Sequence, residues 1–254
     1  MRQLIDFTGK SIVVLGASSG IGKNTAITLS ELGAHVIIVA RREDKLRETL
    51  ALLHGNGHAY YTTDISIFTN IENLFKRIKD EHGELDGLVY CAGINSTMPL
   101  MQLKPEKIQA IFDINFFSFI ESVRQATRRG RYNPGMRIVA VSSNAAVRGD
   151  KAHTAYSASK AAMNAAVRCI AKELADREIY INTVAPAVTN TEIYKQYSSG
   201  SDDISDSEKA LLERQYLGLI EPSNVADAIA FLLSPAAQMI TGITLPVDGG
   251  LSTN

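Results

Sequence analysis

Tyr156 and Lys160 stand four residues apart in Tyr156-Ser157-Ala158-Ser159-Lys160. If that segment is helical, the two side chains share a face. A phenol has a reference pKa of about 10, too high for easy proton exchange at neutral pH. A neighbouring ammonium stabilises the phenolate and lowers that value. The pair can then give a proton to a carbonyl oxygen or take one from an alcohol. An exposed Tyr/Lys pair is the plain alternative, because this spacing is common by chance. Ser143, in VAVSSNAAV, adds a hydroxyl able to hydrogen-bond the same substrate oxygen. Ser142 is its rival, with a strand-end turn as the alternative role.

A second constellation suits phosphate. Leu15-Gly16-Ala17-Ser18-Ser19-Gly20-Ile21-Gly22 separates an apolar run from a helical pattern. Glycines permit a tight turn, and amides at a helix N-terminus attract a pyrophosphate. The spacing G-x-x-x-G-x-G differs from the usual G-x-G-x-x-G, and a simple tight turn remains the other reading. The next apolar run ends in Val39-Ala40-Arg41-Arg42. An acidic residue there would hold the ribose hydroxyls of NAD. Ala40 cannot, whereas Arg41 and Arg42 could pair with the 2′-phosphate of NADP(H). Arginines at a solvated helix start are the alternative. Glu43 and Asp44 fit the first turn of a helix, where the dipole favours acids.

These groups need a scaffold that brings distant segments to one edge. Short β-branched runs at 11–16, 35–40, 58–63, 87–92, 137–142, 180–185 and 243–247 read as buried strands. Helical patterns lie between them. One such pattern places Ile71, Leu74, Phe75 and Ile78 on one face. On the Tyr156 helix the core stripe continues through Met163, Val167, Ile170 and Leu174, opposite Ala158, Ala162, Ala165 and Cys169. The alternation predicts an α/β fold with a doubly wound, Rossmann-like parallel sheet, and ligand sites at the strands' carboxyl ends. No linker splits the chain, so residues 1–254 read as one dinucleotide-binding and catalytic domain. Residues 189–221 break the rhythm with a polar stretch, SSGSDDISDSEK. They read as a substrate lid or, alternatively, a tolerated surface insertion.

Bulk properties exclude several classes. The 254 residues are 45% hydrophobic and 21% charged, with a formal net charge of -1. That balance gives no pull toward nucleic acid or an anionic membrane. The N-terminus lacks a signal-peptide core, and the apolar stretch near 228–247 is too interrupted to span a bilayer. Cys91 and Cys169 cannot build a disulfide framework and read as buried thiols in a reducing, cytoplasmic setting. The five histidines do not cluster in sequence, so no metal is expected. His153 reads as a surface histidine, with the substrate mouth as the alternative.

Taken in order, GASSGIG (16–22), TTDIS (62–66), CAG (91–93), Asn115 in DINFFS, SSNAA (142–146), YSASK (156–160), INTVAPAVTNT (181–191) and TGITLPVDGG (241–250) resemble the short-chain dehydrogenase/reductase family along nearly the whole chain. The resemblance is to its single-domain branch, which includes 3-oxoacyl-acyl-carrier-protein reductases. It implies catalysis by Ser143, Tyr156 and Lys160, with Asn115 supporting a proton relay to the lysine. It implies an NADP(H) site built from Gly16, Ser18, Ser19, Gly20, Ile21, Gly22, Arg41 and Arg42. Asp64 and Ile65 would meet the adenine, and Ala92 and Gly93 the adenosine part. Tyr156 and Lys160 would meet the nicotinamide ribose end, and Val188 and Thr191 the carboxamide. The chain departs from the family's usual pattern at Leu15, Tyr90-Cys91 and Ala187.

The implied reaction reduces a carbonyl to an alcohol or the reverse. A small-molecule substrate is expected, with an acyl carrier protein as the partner of one variant. Arg124, Arg128, Arg129, Arg131 and Arg177 could form a patch for it, although cations at helix C-termini explain them too. A sugar, polyol or steroid-like alcohol is the other substrate class. A dinucleotide sensor without chemistry is a further alternative, disfavoured by the complete Asn115, Ser143, Tyr156, Lys160 set. The small-residue helix face packs against this chain's own sheet or a neighbouring helix or, as the resemblance implies, against a two-fold mate. With the C-terminal strand and tail as a second patch, the resemblance implies a homodimer and, further, a homotetramer.

Overall fold

The computed structural model describes residues 5–192, 194 and 213–253. Its strands are β1 (Ser11–Leu15), β2 (His35–Ala40), β3 (Ala59–Thr62), β4 (Leu85–Tyr90), β5 (Tyr132–Val141), β6 (Tyr180–Pro186) and β7 (Thr244–Val247). They form one sheet in the order β3-β2-β1-β4-β5-β6-β7. Every pairing is parallel. The order turns around between β1 and β4, which opens a crevice at their carboxyl ends.

Side chains on a strand alternate between faces, so a sheet covered on both sides needs apolar residues in succession. β1 shows the rule. Val13 and Leu15 enter one core with Phe75, Phe119 and Met163. Ile12 and Val14 enter the other with Leu29, Leu46 and Ile229. The first core is closed by α3 (Phe68–His82), α5 (Ser118–Ala126) and α7 (Thr154–Leu174), and the second by α1 (Gly20–Glu31), α2 (Glu43–Leu50) and α8 (Pro222–Leu233). The stripes read from periodicity point inward as expected. Ile71, Leu74, Phe75 and Ile78 are buried on α3, as are Met163, Val167 and Leu174 on α7.

Three expectations need correction. β4 starts at Leu85 and β5 at Tyr132, both earlier than the apolar runs indicate. Backbone pairing does not require apolar side chains, and the register slips between Leu85 and Gly87 where β5 carries Asn133, Pro134 and Gly135. Cys169 is exposed, because it lies on the α7 face turned away from the sheet. Cys91 sits under the glycine loop, and burial pushes its thiol up to about 12. The segment 189–221 is described only at its ends, and residues 193 and 195–212 of the expected lid lie outside the described residues. Those ends meet: Asn190 N–H donates to Ile220 O at 2.8 Å, and Asn190 Nδ2 donates to Glu221 at 3.0 Å.

The departure at Tyr90 also has an explanation. α4 (Pro105–Phe112) joins α5 through one π-helical turn, Asp113–Phe117. The Tyr90 hydroxyl donates to the Ile114 carbonyl in that turn at 2.5 Å, and its ring meets Phe119 edge-on. The phenol thus anchors the turn that carries Asn115. Among the described residues, no helix is long and apolar enough to cross a membrane.

Gly16 is required twice over. Its φ is +88°, and a methyl group there would stand 2.6 Å from the Ala92 nitrogen. Gly149, after the short helix α6 (Ala145–Arg148), has φ +69° but open space around it. Gly149→Ala therefore carries only a left-handed-backbone penalty of about 1 kcal/mol, or about 2–4 °C in melting temperature. Gly16→Ala adds a backbone collision and should lower melting by at least twice as much. Calorimetric melting of both variants checks this, and equal drops would contradict the close approach.

Candidate active site

The strand order places the Gly16 loop, the ends of β4 and β5 and the start of α7 around one cavity of about 1200 Å³. Gly16, Ser18, Ser19, Gly20, Ile21, Gly22, Arg41, Arg42, Asp64, Ile65, Ala92, Gly93, Ser143, Tyr156, Lys160, Val188 and Thr191 all line it. Asn115 does not. It is fully buried behind the wall, where Nδ2 donates to Ile94 O and Ser159 Oγ, both at 3.0 Å. Its Oδ1 accepts from Ile94 N–H at 2.9 Å. A Cβ at Gly93 would stand 3.3 Å from Asn115 Oδ1 and 3.4 Å from Lys160 Nζ, so Gly93 is flanked by both.

At the chemical end, α7 carries Tyr156 half-buried and Lys160 only 4% exposed. The Lys160 ammonium donates to the Val141 carbonyl, at the end of β5, at 2.7 Å. Burial pulls Lys160 down to about 8, against a small opposing effect of Cys91. Tyr156 departs from expectation. Burial raises its pKa, and the neighbouring Ser143 hydroxyl pulls the other way without reversing it. The predicted lysine-driven depression is not found, and burial is the largest effect on the phenol. A raised phenol stays protonated at neutral pH.

The geometry separates the two serines. Ser142 is buried, and its hydroxyl turns to the Lys160 carbonyl at 3.5 Å. Ser143 is half-buried beside the Tyr156 phenol, and its Oγ accepts the Ala145 N–H at 3.1 Å. His153 is at the cavity wall and so is not the plain surface residue favoured from sequence. Its Nε2 pairs with the Thr97 hydroxyl at 3.1 Å, and its ring lies edge-on to Tyr156. Ala152 before it has φ +64°, an uncommon conformation for a residue with a Cβ.

At the other end, Ser19 N-caps α1 in position but makes no side-chain cap. The first-turn amides thus lack that oxygen, as an anion-binding helix end requires. Ser19 Oγ instead accepts from Arg42 Nη2 at 2.8 Å, and Ser18 Oγ from the same nitrogen at 3.1 Å. Arg42 itself precedes α2, whose first turn holds Glu43 and Asp44 as expected. Asp64 is engaged locally: Ser66 donates to Oδ1 through its hydroxyl and its N–H, holding the carboxyl below its usual range. Val188 is gripped by Gln215, which bonds both its N–H and its carbonyl at 3.1 Å. This donor set, the open helix end and the close-packed glycines fit a dinucleotide with a phosphate near Arg42.

Sequence reading missed several residues. Asn144 is buried and donates to Asp248 Oδ2 at 3.1 Å, tying the β5 end to the C-terminal turn. Burial raises the Asp248 carboxyl, but bonds from Ser252, Gly250 and Asn144 outweigh it and hold it low. Thr97, Arg148, Asp150 and Glu192 also line the cavity. Only their position in SSNAA and VDGG hinted at Asn144 and Asp248, and nothing in the sequence singled out the others. Among the described residues, no group of three or more His, Cys, Asp or Glu side chains is placed to hold a metal.

Known proteins share this design. A family model described as enoyl-(acyl carrier protein) reductase matches residues 16–252. The chain is 39% identical over 259 residues to an L-xylulose reductase of Caenorhabditis elegans, covering 98% of both. It is 34% identical to the 3-oxoacyl-(acyl-carrier-protein) reductase FabG of Rickettsia felis, covering 98% of this chain and 99% of that one. A short-chain type dehydrogenase/reductase from Mycobacterium ulcerans superposes with a TM-score of 0.89 at 29% identity, covering 98% and 92%. Similarity that runs the length of the chain, over a parallel sheet of the same design, makes it a member of the short-chain dehydrogenase/reductase family of oxidoreductases.

Proposed function

We propose that this oxidoreductase reduces a small carbonyl compound with NADPH. The carrying observation is a single cavity with Ser143, Tyr156 and buried Lys160 at one end and the Ser18–Ser19–Arg42 cluster at the other. NADPH supplies the hydride. Ser143 orients the carbonyl oxygen by a hydrogen bond, and Tyr156 donates a proton to it. Lys160, tied to Val141, holds the ribose end of the cofactor with its ammonium. Asn115 acts one layer back, fixing Ile94 and Ser159 around that lysine.

A free hydroxylated substrate such as a ketose or polyol is favoured over a carrier-bound acyl chain. Four of the five arginines that could meet an acidic carrier have partners on this chain, and Arg129 is exposed. Arg124 pairs with Glu121 at 2.7 Å, Arg128 with Glu72 at 3.1 Å, and Arg131 bonds Gln125 at 2.6 Å. Arg177 donates to the Thr127 carbonyl. The cavity wall near Tyr156 is polar, with Thr97, Arg148, Asp150 and His153. Residues 189–221 serve as the substrate cover in this reading.

The assembly follows from α7. Ala158, Ala165 and Cys169 are exposed on this chain, so its own sheet does not cover that face. Phe112, Phe116 and Phe117 form an aromatic group with centroids 5.4–6.3 Å apart on the π turn and α4, which pack against α7. A two-fold mate would bury both. The edge strand β7 and exposed Met239 and Leu217 offer a second patch, as a homotetramer needs.

Four outcomes test these readings. A panel of ketoses, simple ketones and 3-oxoacyl thioesters, each with both cofactors, should show turnover on ketoses and a tenfold to hundredfold NADPH preference in kcat/KM. The preference reflects about 1.5–3 kcal/mol for an Arg–phosphate bond. An NADH preference that Arg41→Ala and Arg42→Ala leave unmoved contradicts it. Tyr156→Phe should lose about 10²–10⁴-fold in kcat while still binding cofactor. In the wild type, reduction should fall as pH rises through about 8, where Lys160 loses its proton while Tyr156 keeps its own. A flat profile from pH 6 to 10 argues against the charged-lysine role. Finally, light scattering should give a tetramer, and Ala162→Arg should split the α7 interface. A stable wild-type monomer at micromolar concentration rules the assembly out.

A further inference from the structure

The cavity wall near Arg42 holds a carboxylate that the proposed reaction does not use. Glu192 Oε2 stands 3.4 Å from Arg42 Nη1, while Nη2 of the same guanidinium serves Ser18 and Ser19. Arg42 thus joins the glycine loop to the segment that follows β6. A second contact fixes the same approach: a Cβ at Gly20 would lie 3.3 Å from the Thr191 methyl. Glu192 also lies close enough to act on the charge of Lys45 in α2. Both members of the pair line the cavity and are about half exposed, so the link is solvated and exchangeable.

We infer that Glu192 is a specificity-determining residue that competes with a cofactor 2′-phosphate for Arg42. This rests on the reading of Arg42 as the phosphate-binding residue. A guanidinium presents several donors in a fixed fork. Here two nitrogens are already committed, one to hydroxyls and one to a carboxylate. A 2′-phosphate arriving at this edge must displace Glu192 or share Arg42 with it at close range. The same carboxylate puts no comparable demand on a cofactor that carries only a ribose hydroxyl. Glu192 therefore narrows the selectivity that the Arg41–Arg42 pair would otherwise give, and links phosphate binding to the start of the segment after β6.

Binding of half-cofactors tests this without turnover. Adenosine 2′,5′-bisphosphate carries the extra phosphate and adenosine 5′-monophosphate lacks it. Titration calorimetry of both against the full chain reads the effect. Glu192→Gln should tighten the bisphosphate about three- to tenfold and leave the monophosphate within twofold. The gain should shrink as salt is raised from low to about 0.5 M. In an Arg42→Ala background, Glu192→Gln should give less than half of that gain, because the two act as a pair. An unchanged bisphosphate affinity, an equal change for both probes, or full additivity with Arg42→Ala overturns the inference. The wild-type chain separates this from the underlying reading. A bisphosphate advantage that Arg42→Ala abolishes keeps Arg42 as the phosphate residue even if Glu192→Gln has no effect.

Discussion

The Lys160 ammonium bonded to the Val141 carbonyl is the contact on which the site's geometry depends. A lysine buried this deeply loses its hydration, so it needs a strong acceptor or a proton loss. The parallel sheet provides the acceptor. β5 ends at Val141, its carbonyl is freed from the ladder, and α7 crosses there with Lys160 facing in. The bond ties helix to strand and thereby fixes Tyr156 one turn earlier. Other ties hold α7 in register: the Ser142 hydroxyl turns to the Lys160 carbonyl, and Thr183 of β6 donates to Asn164 Oδ1 at 3.2 Å. The tyrosine is positioned by a helix that cannot slide.

Around that contact the protein accepts local constraints. The π turn adds a residue to the α4–α5 helix, and such turns recur at functional sites. Here it sets Asn115 against Ile94 and Ser159, and Tyr90 secures it from the sheet. Gly93 passes between Asn115 and Lys160 with no room for a larger residue to be neutral. Ala152 holds a left-handed backbone beside His153. These constraints lie at or just behind the cavity wall, between the two apolar clusters that cover the sheet. Such constraints persist where the surrounding structure over-determines them.

Electrostatics divides the cavity into two ends. The Arg42 end is solvated, so the guanidinium exchanges partners readily. At the Tyr156–Lys160 end burial is the largest effect on both groups, lowering the lysine and raising the tyrosine. The sequence alone suggested the opposite sign for Tyr156, because a reading of i and i+4 sees the ammonium and not the burial of the phenol.

The sequence by itself determined the strands, the inward stripes on α3 and α7, the glycine loop and the Tyr156–Lys160 face. These are local features, written in periodicities of two and 3.6 and in residue types suited to one backbone geometry. Tertiary structure alone decided what each group touches. It turned the Ser142 hydroxyl to the Lys160 carbonyl and set Ser143 beside Tyr156, moved Asn115 behind the wall, brought His153 to the cavity, exposed Cys169, and joined Asn144 to Asp248 and Arg42 to Glu192. The partners in the last two pairs are 104 and 150 residues apart. No short-range pattern encodes them, because the order in which parallel strands join the sheet sets which loops meet at its carboxyl edge.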